Sequence, residues 1–355
     1  MDEFFHTRLA PFSVEGGMTA GELLERMGRT AFQARNLAQA ARIWSRMLED
    51  EVVIMFGLAG AMVPAGMRKV IVYLLENRLI DCLVSTGANL FHDVYETLGK
   101  PHYQGSPESD DLELGRRRIN RFYDVLAPEA DFSAAEDFVA YFARTLDTSR
   151  PYTTREYCRL LGLALAPVAA EEGILTAAAK HDVPVYSPAL GDSVHGLAIA
   201  QTRVKRSQSG QPPEPPLLFD IIGDVLETAH ISATAPATGV IYVGGGTPKN
   251  FIQQSEVAGY IFQRELPGHK YAVQITMDQP QWGGLSGCTF EEAQSWRKIA
   301  ADAAMVTVNV EATVALPIIV SALAERSADI IKKRRPPVIS FDGMPGAWPP
   351  CREQR

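Results

Sequence analysis

The chain has 355 residues, with 34 basic and 42 acidic side chains, a net charge of −8, and 46% apolar against 21% charged residues. That is enough apolar material for one large α/β domain or two smaller ones. The acidic balance argues against a nucleic-acid or anionic-membrane binder, which relies on clustered Lys and Arg.

Residues 1–50 read mostly as helix, with "MTAGELLERMGRTAFQARNLAQAARIWSRML" carrying amphipathic spacing. Then short apolar runs alternate with helical patterns. "VVIMF" (52–56) passes into "GLAGAMVPAGMRKVIVYLLEN", and "CLVST" (82–86) ends in "GAN". "VPVYS" (183–187) runs into "PALGDS", and residues 204–216, "VKRSQSGQPPEPP", read as an exposed loop. "GVIYV" (239–243) meets "GGGTPKN", "YAVQITM" (271–277) precedes a glycine-rich loop, and "MVTVNV" (305–310) leads into "EATVALPIIVSALAER". The end, "RRPPVISFDGMPGAWPPCREQR", reads as a proline-rich tail that is poorly ordered unless a partner subunit holds it.

Continuous rather than alternating apolar strands indicate burial on both faces. The strand, loop and helix alternation predicts a doubly wound α/β fold with a mainly parallel, Rossmann-like sheet. The expected division is a helical segment at 1–50, a catalytic domain at 51–330 and the tail at 331–355. Four scattered cysteines without a CxxC pair read as reduced thiols. With acids at the front of the chain and no apolar run near ~20 residues, the expectation is a soluble, cytoplasmic protein without membrane contact.

Ligands of such sheets sit beyond the carboxyl ends of the strands, so those turns carry the candidate chemistry. "VIYVGGGTPKN" is either a pyrophosphate cradle at a helix N-terminus or a plain tight turn. "GLAGAM" (57–62) is a weaker version, and neither matches G-x-G-x-x-G. "YSPALGDSVHG" (186–196) carries Asp192 and His195, where the aspartate either holds ribose hydroxyls or caps a helix. "STGANLFHDV" (85–94) places His92 and Asp93 past a strand end, and "QITMDQPQWGGLSG" (274–287) either lines a site or covers one. HExxH, paired Cys/His ligands, G-x-S-x-G and the P-loop pattern are all missing, so no metal is expected.

Taken in order, "GLAGAMVPAGMRKVIVYLLENRLIDCLVSTGAN", "INRFYDVLAP", "VPVYSPALGDS", "VGGGTPKN" and "EEAQSWRKIAADAAMVTVNVEATVALP" resemble the deoxyhypusine synthase family, over roughly residues 50–325. The likeness is to its bacterial deoxyhypusine synthase-like branch. It implies a homotetramer with NAD sites at subunit interfaces and NAD-dependent transfer of an aminobutyl group from spermidine through an enzyme-lysine imine. The family's Trp-Gly-Lys motif falls on "SWRKI", making Lys298 the implied imine-forming residue, with Arg297 in place of the glycine. Such an amine must be neutral to attack, so its pKa has to be lowered by burial or nearby cations.

By the same matching, the implied NAD contacts are Gly60, Ala61, Thr86, Gly87, Asp192, Gly245, Thr276, Met277, Glu311 and Ala312. Trp296 and Glu292 fall beside the substrate chain, and His92 and Asn250 replace a family acid and a family histidine. Phe91 and Leu197 replace two further acids, which leaves Asp93, Asp278 and Glu292 as candidate ammonium anchors. Three readings stay open: transfer to a protein lysine, transfer to a small diamine as in homospermidine synthases, and a non-catalytic NAD-binding protein.

Overall fold

The computed structural model describes residues 7–208 and 215–345. Two helices lead, α1 (Ala20–Met27) and α2 (Phe32–Glu49), followed by β1 (Val53–Leu58), α3 (Arg68–Glu76), β2 (Cys82–Ser85) and α4 (Gly87–Thr97). An excursion follows: β3 (Tyr103–Gln104), α5 (Asp111–Arg116), β4 (Ile119–Phe122) and β5 (Val125–Pro128). Next come α6 (Glu129–Thr145), α7 (Thr154–Leu165), α8 (Ile174–Lys180), β6 (Val185–Tyr186), α9 (Val194–Gln208) and α10 (Ile221–Thr234). The chain continues with β7 (Thr238–Val243), α11 (Gly246–Val257), β8 (His269–Ile275), α12 (Phe290–Ser295), β9 (Ile299–Val308), α13 (Ala312–Arg326) and α14 (Ala328–Lys333).

Six strands form one sheet in the order β6-β2-β1-β7-β8-β9, with every pairing parallel. Every residue of β1 and β7 is buried, as a sheet covered on both faces requires. The chain first winds outward from β1 through β2 to β6, then returns to the other side of β1 for β7, β8 and β9. Winding therefore reverses between β1 and β7, and a crevice opens there beyond the carboxyl ends of the strands. This is the doubly wound parallel architecture expected from the alternating pattern.

The structure departs from the sequence reading in four places. No packing boundary separates residues 7–50 from the sheet: Trp44 of α2 is fully buried, its ring centroid lies 6.0 Å from that of Phe56 of β1, and it donates from Nε1 to Leu79 O at 3.1 Å. The stretch 204–208 is the last turn of α9 rather than loop, while 209–214 lie outside the described residues. β3, β5 and β4 form a small antiparallel sheet over α4 and α6, built from strands too short to leave a periodic signature. The start of the tail is held by its own chain: α14 runs to Lys333, Arg334 bonds Asp81 through both carboxylate oxygens at 2.9 and 2.6 Å, and Phe341 lies under the Arg155 guanidinium at 4.2 Å. Residues 346–355 lie outside the described residues.

Candidate active site

The implied NAD residues collect at the carboxyl ends of all six strands of the sheet. Gly60 and Ala61 follow β1, Thr86 and Gly87 follow β2, Asp192 follows β6, Gly245 follows β7, and Thr276 and Met277 follow β8. Glu311 and Ala312 follow β9 and start α13, completing the arc. Three helix N-termini, those of α4, α11 and α13, open on this side of the sheet. Each presents the positive end of a helix dipole, an arrangement suited to a pyrophosphate, although Ser286 Oγ accepts from Gly246 N of α11 at 3.0 Å and Glu311 Oε2 from Thr313 N of α13 at 2.9 Å.

Packing explains why particular residue types stand here. Gly60 has φ 75° and open space where a side chain would point. Gly87 and Gly245 are needed for close approach within the protein. A Cβ on Gly87 would stand 2.5 Å from Ser193 Oγ, and one on Gly245 would stand 2.4 Å from Ser286 Cα. Asn89, which the sequence reading passed over, clamps the site. Its Nδ2 donates to Gly60 O at 2.7 Å, and its Oδ1 accepts from Val63 N at 3.1 Å. Thr276 is buried and its Oγ1 accepts from Asp278 N at 3.1 Å, while Met277 is exposed. Asp192 is exposed, and Glu311 spends Oε2 on Thr313 as the cap of α13.

A second group forms around Lys298, which enters β9 at the sheet's amino edge, where its carbonyl accepts from His269 N at 3.0 Å. Its Nζ donates to Asn250 Oδ1 on α11 at 3.1 Å and lies 5.7 Å from the centroid of the exposed Trp296 ring. Asn250 is held in turn, because its Nδ2 donates to Gln254 Oε1 at 2.6 Å. Arg297 turns away to pair with Glu265 at 2.8 Å on the exposed surface, so it neither crowds Lys298 nor lends it charge at contact distance.

Beside this group lies a lysine to which sequence reasoning gave no role. Lys249 is fully buried and donates from Nζ to Gln274 Oε1 at 2.9 Å and to Cys288 O at 2.5 Å. Burial lowers its pKa to about 8, and the nearby Lys298 charge pushes the same way while Glu292 opposes both. The signal available in the sequence was its place just after three glycines, at the start of a helix.

The structure therefore brings Asn250, Glu292, Trp296 and Lys298 together around α11, α12 and β9. His92 lies apart on α4 under the small antiparallel sheet. Asp93 is not available to a substrate: Arg68 Nε at 2.9 Å and the N–H groups of Ile174 and Leu175 at 2.7 and 2.8 Å occupy both its oxygens. Phe91 is fully buried, whereas Leu197 is exposed.

The deoxyhypusine synthase family pattern matches residues 22–323. The Methanosarcina mazei protein named "Probable deoxyhypusine synthase 2" is 47% identical over 97% of this chain and 96% of its own. The Archaeoglobus fulgidus protein of the same name is 43% identical over 90% of this chain and all of its own. The "Deoxyhypusine synthase-like protein" of Coxiella burnetii is 36% identical over 85% of each chain. Among solved structures, the "putative deoxyhypusine synthase" of Entamoeba histolytica superposes with a TM-score of 0.60 at 20% identity, over 89% of this chain and 96% of that one.

Proposed function

Since the chain belongs to the deoxyhypusine synthase family and is a transferase of that family, we propose that it moves an aminobutyl group from a polyamine such as spermidine to an acceptor amine, with NAD as cofactor and Lys298 as the covalent carrier. The observation that carries this reading is the environment of Lys298. Its amine is half-buried, is held by Asn250 at 3.1 Å, and lies next to the buried cation Lys249.

The crevice suits NAD. The loop at Gly60 leaves open room for a ligand, and three helix N-termini face the same edge. The exposed Asp192 and Glu311 Oε1, which has no hydrogen-bond partner among the described residues, offer acceptors for ribose hydroxyls. When bound, the cofactor supplies hydride acceptance from the carbon beside the polyamine nitrogen, and later hydride return. The chain's own residues do the rest. Asn250 aims the Lys298 nitrogen. The neutral Lys298 amine attacks the oxidised carbon, a C=N bond forms to Nζ, and the C–N bond to the leaving diamine breaks. Trp296 offers an aromatic face to the cationic chain, and Glu292 a carboxylate.

We assign the working unit as a homotetramer that covers the exposed apolar side chains Leu197, Met277, Trp282, Leu285, Trp296 and Val314. Among the described residues no helix is long and apolar enough to cross a membrane. Borohydride trapping with NAD and spermidine tests the reading: the wild type gains an aminobutyl adduct on the peptide bearing Lys298, and Lys298→Ala gains none. No adduct on either protein would instead favour a non-catalytic NAD-binding protein. The second reading for the acceptor is a small diamine, favoured by the loss of family acids at Phe91, His92 and Leu197. A product that requires added putrescine marks it, and a modified protein lysine rejects it.

A further inference from the structure

The strand that follows Lys298 leaves its ladder almost at once. In the β8–β9 pairing His269 faces Ile299 but Tyr271 faces Ala304, so two steps along β8 match five along β9. The stretch between Ile299 and Ala304 bulges out of the sheet, its carbonyls at Ala300 and Ala301 taken up by Gln294 Nε2. On the other side Arg297, at φ 58°, turns the chain sharply into Lys298. The lysine therefore stands between two irregularities, and the regular ladder does not set its place. Two backbone bonds do: Lys298 N donates to Ala293 O at 3.1 Å, and His269 N donates to Lys298 O at 3.0 Å.

His269 is itself held by buried polar groups. Its ring is fully buried, with Nδ1 2.7 Å from Thr238 Oγ1 at the start of β7 and 3.3 Å from Glu256 Oε1 near the end of α11. The Thr238 hydroxyl donates to the same carboxylate, and so does the Gly268 N–H. Gly268 is pressed against the strand beside the lysine, where a Cβ would stand 2.6 Å from Ile299 C. One buried carboxylate thus grips both residues that touch the Lys298–Ile299 backbone. The helix that supplies it also supplies Asn250, which accepts from Lys298 Nζ at 3.1 Å. Asn250 and Glu256 are about 9 Å apart along the helix axis.

We propose that Glu256, acting through Thr238 and His269, is a positioning residue for Lys298, so that α11 fixes this lysine by its backbone and by its amine together. The proposal deepens the reading of Lys298 as carrier and rests on it. A buried carboxylate is a poor way to gain stability, because an apolar filling of the same shape often serves as well or better. What it supplies here is a fixed reference for a lysine that the sheet does not hold. Since α11 also opens at its N-terminus on the crevice, cofactor and lysine are set against one rigid element.

His269→Leu replaces the ring with an apolar group of similar size, and His269→Asn places an amide nitrogen close to the position of Nδ1. With NAD and spermidine, His269→Leu is expected to lower kcat about tenfold while the spermidine KM and the NAD Kd stay within about twofold, and His269→Asn to recover most of the loss. Labelling by trinitrobenzenesulfonate, followed on the Lys298 peptide by mass spectrometry, reads the amine without turnover. Release from Asn250 makes Lys298 label roughly fivefold faster in the leucine variant, about one hydrogen bond. Thr238→Val keeps both ionisable groups, follows the same trend, and takes the place of His269→Leu if that protein does not fold. Equal losses in the leucine and asparagine variants, a matching loss of NAD affinity, or an unchanged kcat or labelling rate overturns the proposal. A wild type that forms no Lys298 adduct, while the labelling rates still separate as expected, rejects the transferase reading alone.

Discussion

Arg297 adopts φ 58°, in the left-handed region, at the position where the family motif has glycine. A side chain there costs about 1 kcal/mol or more, and the Glu265 pair that Arg297 makes is exposed at both ends, so it returns little. Arg297→Gly is therefore expected to raise the urea midpoint by about 1 kcal/mol of stability; a lowered midpoint would mean that the ion pair dominates. Lys249 gives a residue-scale pH effect. Burial lowers its folded-state pKa to about 8 from the usual 10.5. Below about pH 8 the amine is charged in both states, and the folded protein bears the full cost of the buried charge. Between about 8 and 10.5 the unfolded chain binds more protons, so this group makes stability rise with pH. Lys249→Met should flatten that rise, read as the difference in urea midpoint between about pH 7.5 and about pH 10 in the two proteins. An identical slope in both would show that Lys249 is not the buried amine responsible.

At the scale of elements, Asp93 ties three helices together: Arg68 on α3, its own α4, and the first N–H groups of α8 at Ile174 and Leu175. Arg68 also bonds Thr97 Oγ1 at 2.7 Å and Glu171 at 2.6 Å, so the pair is buried but fully partnered. Asp93→Ala leaves the N–H groups of Ile174 and Leu175 without their acceptor, while Arg68 keeps Glu171 as its charge partner, and should cost about 1–3 kcal/mol in urea or thermal unfolding; no measurable cost would mean that water replaces the carboxylate. This residue also marks the limit of what the sequence discloses. The strands and their order of burial were legible because a doubly covered sheet needs continuous apolar runs, and the strand-end loops follow from that. The use of each loop residue was not legible. Asp93 reads as a free acid past a strand end, and Lys249 as a charge after glycines, until tertiary partners 25 to 82 residues away are known for each. The β3, β5 and β4 sheet was hidden for another reason. Its hairpin turns at Tyr123, with φ 57°, and not at the glycine or asparagine that announces such turns.

Across the whole molecule, the last described segment is fastened to the first strands. Arg334, only 5% exposed at its side chain, straddles the fully buried carboxylate of Asp81 at the amino end of β2. The same carboxylate accepts from Ile54 N of β1 at 2.9 Å, so one ion pair joins two central strands to the C-terminal stretch. Proline content alone suggests a loose tail there; the buried guanidinium is what prevents it. Breaking a buried pair costs far more than removing both charges together, because the orphaned charge keeps its desolvation penalty. Arg334→Met should accordingly lower stability by about 3–5 kcal/mol, since Arg78, at 3.5 Å, is too poorly placed to take over. Adding Asp81→Asn removes the orphaned charge while its amide oxygen still accepts from Ile54, so the double variant should recover roughly half of that loss. Urea unfolding of the two singles and the double decides it. A double variant no better than Arg334→Met would show that the tail is held by the packing of Ile339 and Phe341, and that the ion pair contributes little.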